Sequence, residues 1–281
     1  NDVLTVLKLD TTGVRGQVTN NGDGTLTYNP IGFLDDLAQG ETLEEVITYT
    51  LSDGKGGTDK ATVTIVVSGL NDAPIAVADG GEGFITTEDD AFTTKSVLLN
   101  DTDIDADTLV ITDINTLNTK GTVFSNGDGT FEYDPAGQFD FLLPGEIGTD
   151  SFSYTISDNK TGSSTATVTI TINGLNDAPL AKDDNAPGFA TDEDTAIVLN
   201  VLANDSDADA NDPVTLTSFD VTNVQGQVTD NGDGTFTYSP VGVLDSLTAG
   251  ETLDEIFTYT VTDKFGVSDT ATVKVTVTGI N

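Results

Sequence analysis

Three short words recur along this chain at one fixed interval. NGDGT begins at Asn21, Asn126 and Asn231, and the aspartate that closes Tyr-Thr-x-x-Asp recurs as Asp53, Asp158 and Asp263, each 105 residues from the last. NDAP begins at Asn71 and Asn176 with the same spacing. An internal repeat of this length fixes the architecture before any local structure is read. Boundaries fall at Asn71 and Asn176, which gives repeats over 1–70, 71–175 and 176–281. The first and third are closest, with GQVTNNGDGTLTYNP against GQVTDNGDGTFTYSP, while the second diverges at GEIGTDSFSYTISD.

Within each repeat the hydrophobic period is two. Phe257-Thr-Tyr259-Thr-Val261 and Val168-Thr-Ile170-Thr-Ile172 alternate apolar residues with threonine, the signature of strands buried on one face. NNGDG between GQVT and TLTY supplies glycine and asparagine for a hairpin turn, and Asp23, Asp128 and Asp233 belong to such turns rather than to a ligand set. In the second repeat strands are expected at about 75–79, 91–98, 109–114, 121–125, 130–133, 150–157 and 164–172. Roughly seven short strands per repeat indicate all-β, Ig-like two-sheet sandwiches, with Phe131, Tyr133, Phe152, Tyr154 and Ile156 in the core. Gly69-Leu70-Asn71-Asp72-Ala73-Pro74 is short and stiffened by Pro74, so the repeats are expected in tandem, end to end. At the 105-residue offset Asn1 matches Ala106, so the first repeat is expected to lack two strands and an acidic loop, supplied by the parent protein or a neighbouring chain. The closing GIN resembles the start of another GLNDAP linker, so the parent chain is expected to continue.

The acidic loop carries the chemistry. LLNDTDIDADTL places Asp101, Asp103, Asp105 and Asp107 at alternate positions, and LANDSDADANDPVTL repeats the device with Asp205, Asp207, Asp209, Asn211 and Asp212. Two like charges about 4 Å apart cost about 4 kcal/mol at an effective dielectric near 20, so such a loop requires counter-charge. Asp and Glu outnumber Lys and Arg 47 to 10, and no Lys or Arg occurs from Asp183 through Asp263, so salt bridges within that repeat are not expected to supply it. A divalent cation is. Calcium suits a flexible all-oxygen loop with its six to eight ligands, whereas zinc prefers the histidine and cysteine that this sequence lacks. The EF-hand pattern fails, because Ala106 and Ala210 stand where Gly is required and Thr112 and Leu216 where Glu is required. Sandwich topology brings the loop between the last two strands to the same end, so Asp158 is expected beside Asp101–Asp107 with Asn71 and Asp72 adjacent, and Asp263 beside Asp205–Asp209 with Asn176 and Asp177. Glu88 is expected to face the next linker at Asn176, and Glu193 to face Asn281.

A formal charge of −37 disfavours nucleic acid and anionic membranes as partners, and the absence of His and Cys removes most nucleophilic and imidazole-based enzyme chemistry. No apolar run is long enough to span a bilayer.

GETLDEIFTYTVTD, NGDGTFTYSP and the NDAP linkers resemble the VCBS repeat of very large bacterial surface proteins. LANDSDADAND with TDEDT resembles the related bacterial cadherin-like domains, and Tyr-Thr-x-x-Asp with Asn-Asp-Ala-Pro is similar to the calcium motifs of cadherins. The resemblance departs at Ala106, where the loop ordinarily has Gly, and at Asp107 and Asn211, which differ between repeats. It implies calcium as a structural ligand and export by an RTX-like route to the bacterial cell surface. It also implies a spacer role in a secreted adhesin, as a monomeric rod whose partners are its own neighbouring repeats. The alternative is a calcium-dependent module that itself makes homophilic or carbohydrate contacts. A paired-carboxylate hydrolase is disfavoured, because acidic pairs here repeat in every unit whereas an active site seldom does.

Overall fold

The computed structural model describes residues 3–185 and 187–280. Among them the regular structure is all β, apart from two single-turn 3₁₀ helices at Val97–Leu99 and Val201–Ala203. The first repeat contains β1 (Thr5–Asp10), β2 (Gln17–Asn20), β3 (Leu26–Asn29), β4 (Thr42–Ser52) and β5 (Thr58–Ser68). The second contains β6 (Ile85–Thr87), β7 (Phe92–Thr93), β8 (Val110–Asn115), β9 (Thr122–Ser125), β10 (Phe131–Asp134), β11 (Ile147–Ser157) and β12 (Ser163–Asn173). The third repeats that plan as β13 (Ala190–Asp192), β14 (Ile197–Asn200), β15 (Thr215–Asp220), β16 (Gln227–Asp230), β17 (Thr235–Ser239), β18 (Thr252–Thr262) and β19 (Ser268–Thr278).

Each of the last two repeats is a sandwich of a four-stranded and a three-stranded sheet. The orders are β6-β12-β11-β8 with β7-β10-β9, and β13-β19-β18-β15 with β14-β17-β16. Alternation along the long hairpin strands sends every second side chain inward, and β11 and β18 share one burial pattern. Phe131, Tyr133, Phe152, Tyr154 and Ile156 are all buried, and the Phe131 and Phe152 rings meet edge to face between the sheets at 4.9 Å. Phe236 and Phe257 do the same at 5.5 Å in the third repeat. In the first repeat the sheets β1-β4-β5 and β2-β3 end at β5 and β3. Tyr28 and Ile65 are therefore only half-buried where Tyr133 and Ile170 are fully buried. They line an open groove of about 380 Å³ with Leu26 and Val63.

Two expectations are corrected. The segment about 75–79 is not a strand: it touches its neighbours through isolated bridges at Ile75 and Asp79. Side chains take the N–H groups a ladder would use, with Ala76 donating to Ser164 Oγ at 3.1 Å and Val77 to Asp101 Oδ1 at 2.7 Å. The strand expected at about 91–98 shrinks to β7, because Thr94 turns its hydroxyl onto the Phe131 N–H at 3.0 Å and the chain then winds into a 3₁₀ turn. The NGDG turns close as read, with Thr25, Thr130 and Thr235 donating through backbone and hydroxyl to Asp23, Asp128 and Asp233.

Contacts divide the chain into two compact units. One comprises Asn1–Ile85, Ala91–Asp134 and Thr149–Thr171, and the other Thr86–Asp90, Pro135–Gly148 and Ile172–Asn281. The loops at the far end of the second repeat thus belong with the third repeat.

Candidate metal centres

Both acidic loops are wound by their own aspartates. Asp103 Oδ1 accepts the N–H of Asp105 at 2.9 Å, and Asp207 Oδ1 accepts that of Asp209 at 3.0 Å. The chain then passes through left-handed backbone at Ala106 (φ 58°) and Asn211 (φ 62°), which delivers Asp107 and Asp212 to matching places. Asp212, not Asn211, is therefore the structural counterpart of Asp107. The strained alanine carries a cost of about 1 kcal/mol, so Ala106→Gly is expected to leave stability unchanged or raise it by up to about 1 kcal/mol in urea melts. Ala106→Val should lower it.

In the first unit Asp103, Asp107 and Asp158 each offer an oxygen within 4.8 Å of the others. Asp158 is buried at 3% exposure and held by the N–H groups of Lys160 and Gly162. A Cβ on Gly162 would lie 2.3 Å from Asp158 Oδ2 and 2.7 Å from the Ala73 Cα, so a larger residue there must move the linker, although the equivalent position of the third repeat is Val267. Asn71 Nδ2 donates to Asp158 Oδ2 at 2.7 Å and to the Asp72 carbonyl at 2.9 Å. The Asn71 hydrogen bond and those backbone donors outweigh burial and hold the Asp158 carboxyl below the usual range. Asp72 N–H donates to Asp105 Oδ2 at 2.8 Å.

The second unit holds two such groups. Asp207, Asp212 and Asp263 form one, and Glu88, Asp177 and Asp209 form the other. Asn176 repeats the role of Asn71, reaching Asp263 Oδ2 at 2.8 Å, and Asp177 N–H donates to Asp209 Oδ2 at 3.0 Å. Glu88 is buried at 2% exposure, with Oε1 accepting the Leu175 N–H at 2.6 Å. Burial, then the nearby charges of Asp177, Asp209 and Asp89, push its carboxyl up to about 7. Asp177, Asp207 and Asp209 are raised in turn, chiefly by burial.

Four aspartates of the sequence-predicted set lie outside these groups: Asp72 and Asp105, which are hydrogen-bonded to each other, and Asp101 and Asp205. Asp101 and Asp205 face the hydroxyls of Tyr154 and Tyr259 at 3.0–3.2 Å instead. They share those tyrosines with Asp79 and Asp184, which burial raises to about 6 and about 7. Glu193 is buried, accepts the Ile280 N–H at 3.1 Å, and its expected counterpart Asn281 lies outside the described residues.

Counter-charge within the chain was underestimated from sequence. Lys160 Nζ lies 2.8 Å from Asp107 Oδ2, and Lys264 Nζ lies 3.9 Å from Asp212 Oδ2. Both lysines follow the Tyr-Thr-x-x-Asp aspartate by one or two residues, so the turn that positions the aspartate also carries the ammonium. Two lysines do not satisfy the loops. Buried oxygens on Asn71, Asn176, Glu88, Asp103, Asp105, Asp177, Asp207, Asp209 and Asp212 accept no hydrogen bond. Such atoms are rare in folded proteins and costly without a partner. An all-oxygen donor set with acceptors to spare fits a hard divalent cation, calcium above all.

The raised carboxyls set a pH dependence. A carboxyl whose folded pKa exceeds its unfolded value contributes stability that is present below the unfolded pKa and lost as pH rises through the folded pKa. In EDTA, therefore, the melting midpoint should rise as pH falls from about 8 to about 5, the window set by Glu88, Asp184 and Asp79. Scanning calorimetry across that range checks the sign, and Glu88→Gln should flatten the slope.

The sequence matches the bacterial cadherin-like domain over residues 71–174 and 176–279, and the bacterial Ig domain over residues 1–66. Mouse cadherin-23 EC22-24 shares the fold at 15% identity, over 99% of this chain and 85% of its own, with a TM-score of 0.53. Mouse protocadherin-24 EC1-3 aligns over 96% of this chain and 89% of its own at 16% identity, with a TM-score of 0.46. No curated protein matches the chain. With two consecutive matches that span most of its length, on sandwiches that each carry an acidic loop beside a linker aspartate, the chain belongs to the bacterial cadherin-like domain family.

Proposed function

We propose that this chain is a calcium-stabilised spacer, a run of cadherin-like repeats in a large secreted bacterial adhesin of RTX type that carries a distant ligand-binding domain away from the cell surface. The observation that carries the reading is the set of buried, unpartnered oxygens. Most of them fall on the linker asparagines Asn71 and Asn176, the linker aspartate Asp177 and the two acidic loops, and another is on Glu88.

Calcium would be held by Asp103, Asp107 and Asp158 with Asn71 beside them, and by Asp207, Asp212 and Asp263 with Asn176. A further ion would be held by Glu88, Asp177 and Asp209, and Asp72 with Asp105 is the corresponding pair one repeat earlier. The ion supplies positive charge and oxygen-directed coordination at points where the chain would otherwise repel itself. Asp177 and Asp209 are tied to one another by a backbone hydrogen bond and Glu88 reaches them from the preceding repeat in sequence, so a shared ion would restrain the linker between them. A repeated structural role also suits acidic groups that recur in the second and third repeats.

Small-angle scattering tests the spacer role. In calcium the chain should give a narrow, reproducible distance distribution, and excess EDTA should broaden it. Curves that superimpose with and without chelator would remove calcium from the account of stiffness.

A further inference from the structure

The three acidic groups differ in one respect that their shared chemistry hides. Lys160 touches the first: its Nζ is 2.8 Å from Asp107 Oδ2, and it also feels the charges of Asp105 and Asp158. Lys264 stands further from the second, 3.9 Å from Asp212 Oδ2, with its ammonium also 5.0 Å above the Phe265 ring. Among the described residues no lysine or arginine forms an ion pair with Glu88, Asp177 or Asp209.

We propose that Lys160 is the affinity-determining residue of the Asp103–Asp107–Asp158 group, a resident counter-ion that calcium must displace, so that the Glu88–Asp177–Asp209 group fills first. The inference rests on the calcium reading above and assigns an order to its sites. An ammonium and a divalent ion compete for the same Asp107 carboxylate, and when the ion arrives the ammonium must leave or endure like-charge repulsion at close range. Lys160 is the less solvent-exposed of the two lysines, with 29% of its side chain accessible, so its contact is screened less than that of Lys264 at 40%. The Glu88–Asp177–Asp209 group has the opposite character: no ammonium touches it, and the charge of Lys264 acts on Asp209 only from beyond ion-pair distance. Glu88 and Asp209 are at least nine-tenths buried, and each carries an oxygen without a hydrogen-bond donor. An incoming cation there has no ammonium in contact to displace.

Backbone amides that bind the ligand carboxylates report each site separately. The Gly162 N–H donates to Asp158, and the Leu175 N–H donates to Glu88. The full chain, labelled with nitrogen-15, is titrated with calcium chloride at fixed ionic strength and neutral pH, and the midpoints of the two amide shifts are compared. In the native chain the Leu175 midpoint should precede that of Gly162. Lys160→Met should lower the Gly162 midpoint by about tenfold while moving that of Leu175 by less than about twofold. Lys160→Arg, which keeps the charge, should retain the native order, and Lys160→Gln serves if the methionine variant folds poorly. Lys264→Met should shift the Val267 amide, which reports Asp263, by only about twofold. Calcium binding with the Gly162 midpoint unmoved in both neutral variants, or with Gly162 saturating first in the native chain, overturns the assignment of Lys160. Silence of all three amides in the native chain overturns the calcium reading instead.

Discussion

In calcium at about a hundred times its dissociation constant, the chain should melt roughly 10–20 °C above its midpoint in EDTA. An ion that binds only the folded state adds about 2.7 kcal/mol per site under that condition. One kcal/mol moves the midpoint of a domain near 100 residues by about 4–8 °C, and such a domain has only about 5–15 kcal/mol in total. The effect is large because the metal-free state is penalised at the same positions: buried carboxylate oxygens face one another with two lysines as internal relief. Sodium chloride at high concentration should recover only part of the loss, since buried charges are screened much less than exposed ones. Differential scanning calorimetry in both buffers makes the measurement, and Asp209→Ala should shrink the difference.

Asp150→Ala should cost about 4 kcal/mol in urea unfolding of the second repeat, with or without calcium. Asp150 is buried at 6% exposure on β11, and its oxygens accept the N–H groups of Lys120 and Gly121 and the hydroxyl of Tyr133 at 2.8–3.2 Å. Truncation would strand these donors, each costing about 1–3 kcal/mol when left unmade in the interior. The same post is filled 105 residues away on either side. Glu45 accepts the Arg15 N–H, and Glu255 accepts those of Gln225 and Gly226. Asp150→Asn keeps the shape and should lose about half as much. A loss under about 1 kcal/mol for the alanine variant would show that the pinned turn contributes little.

These carboxylates show where the sequence is legible and where it is not. The repeat, the strand alternation and the buried phase of Phe131, Tyr133 and Ile156 follow from period-two burial, which acts on neighbours along one strand. Asp150 occupies the same inward phase as Phe152 and Tyr154, so the pattern was available, but its meaning depends on Tyr133 and the turn at Lys120, partners remote in sequence. The segment from Ile75 to Asp79 has an apolar composition suited to a strand, yet between its bridges at Ile75 and Asp79 the N–H groups of Ala76 and Val77 go to Ser164 and Asp101, which no local pattern specifies.

The candidate site divides in the same way. That Asp158 meets the loop of Asp103 and Asp107, and that Asn71 reaches Asp158, follows from strand order in a sandwich. Asp212 was obscured because the third loop is one residue longer between Asp209 and the left-handed turn, so the alternate aspartates shift by one against the 105-residue offset that pairs Asp107 with Asp212. Asp101 and Asp205 face Tyr154 and Tyr259 because successive aspartates in a curling loop alternate in direction. Lys160 and Lys264 were missed for another reason: each lies far along the chain from the carboxylate it faces.

Isothermal titration of the native chain with calcium should give saturable binding with at least the three sites that the acidic groups define, and loss of one class of site in Asp103→Ala and of another in Glu88→Gln. Heat no greater than dilution up to several millimolar calcium, or full native stoichiometry in both variants, would contradict it.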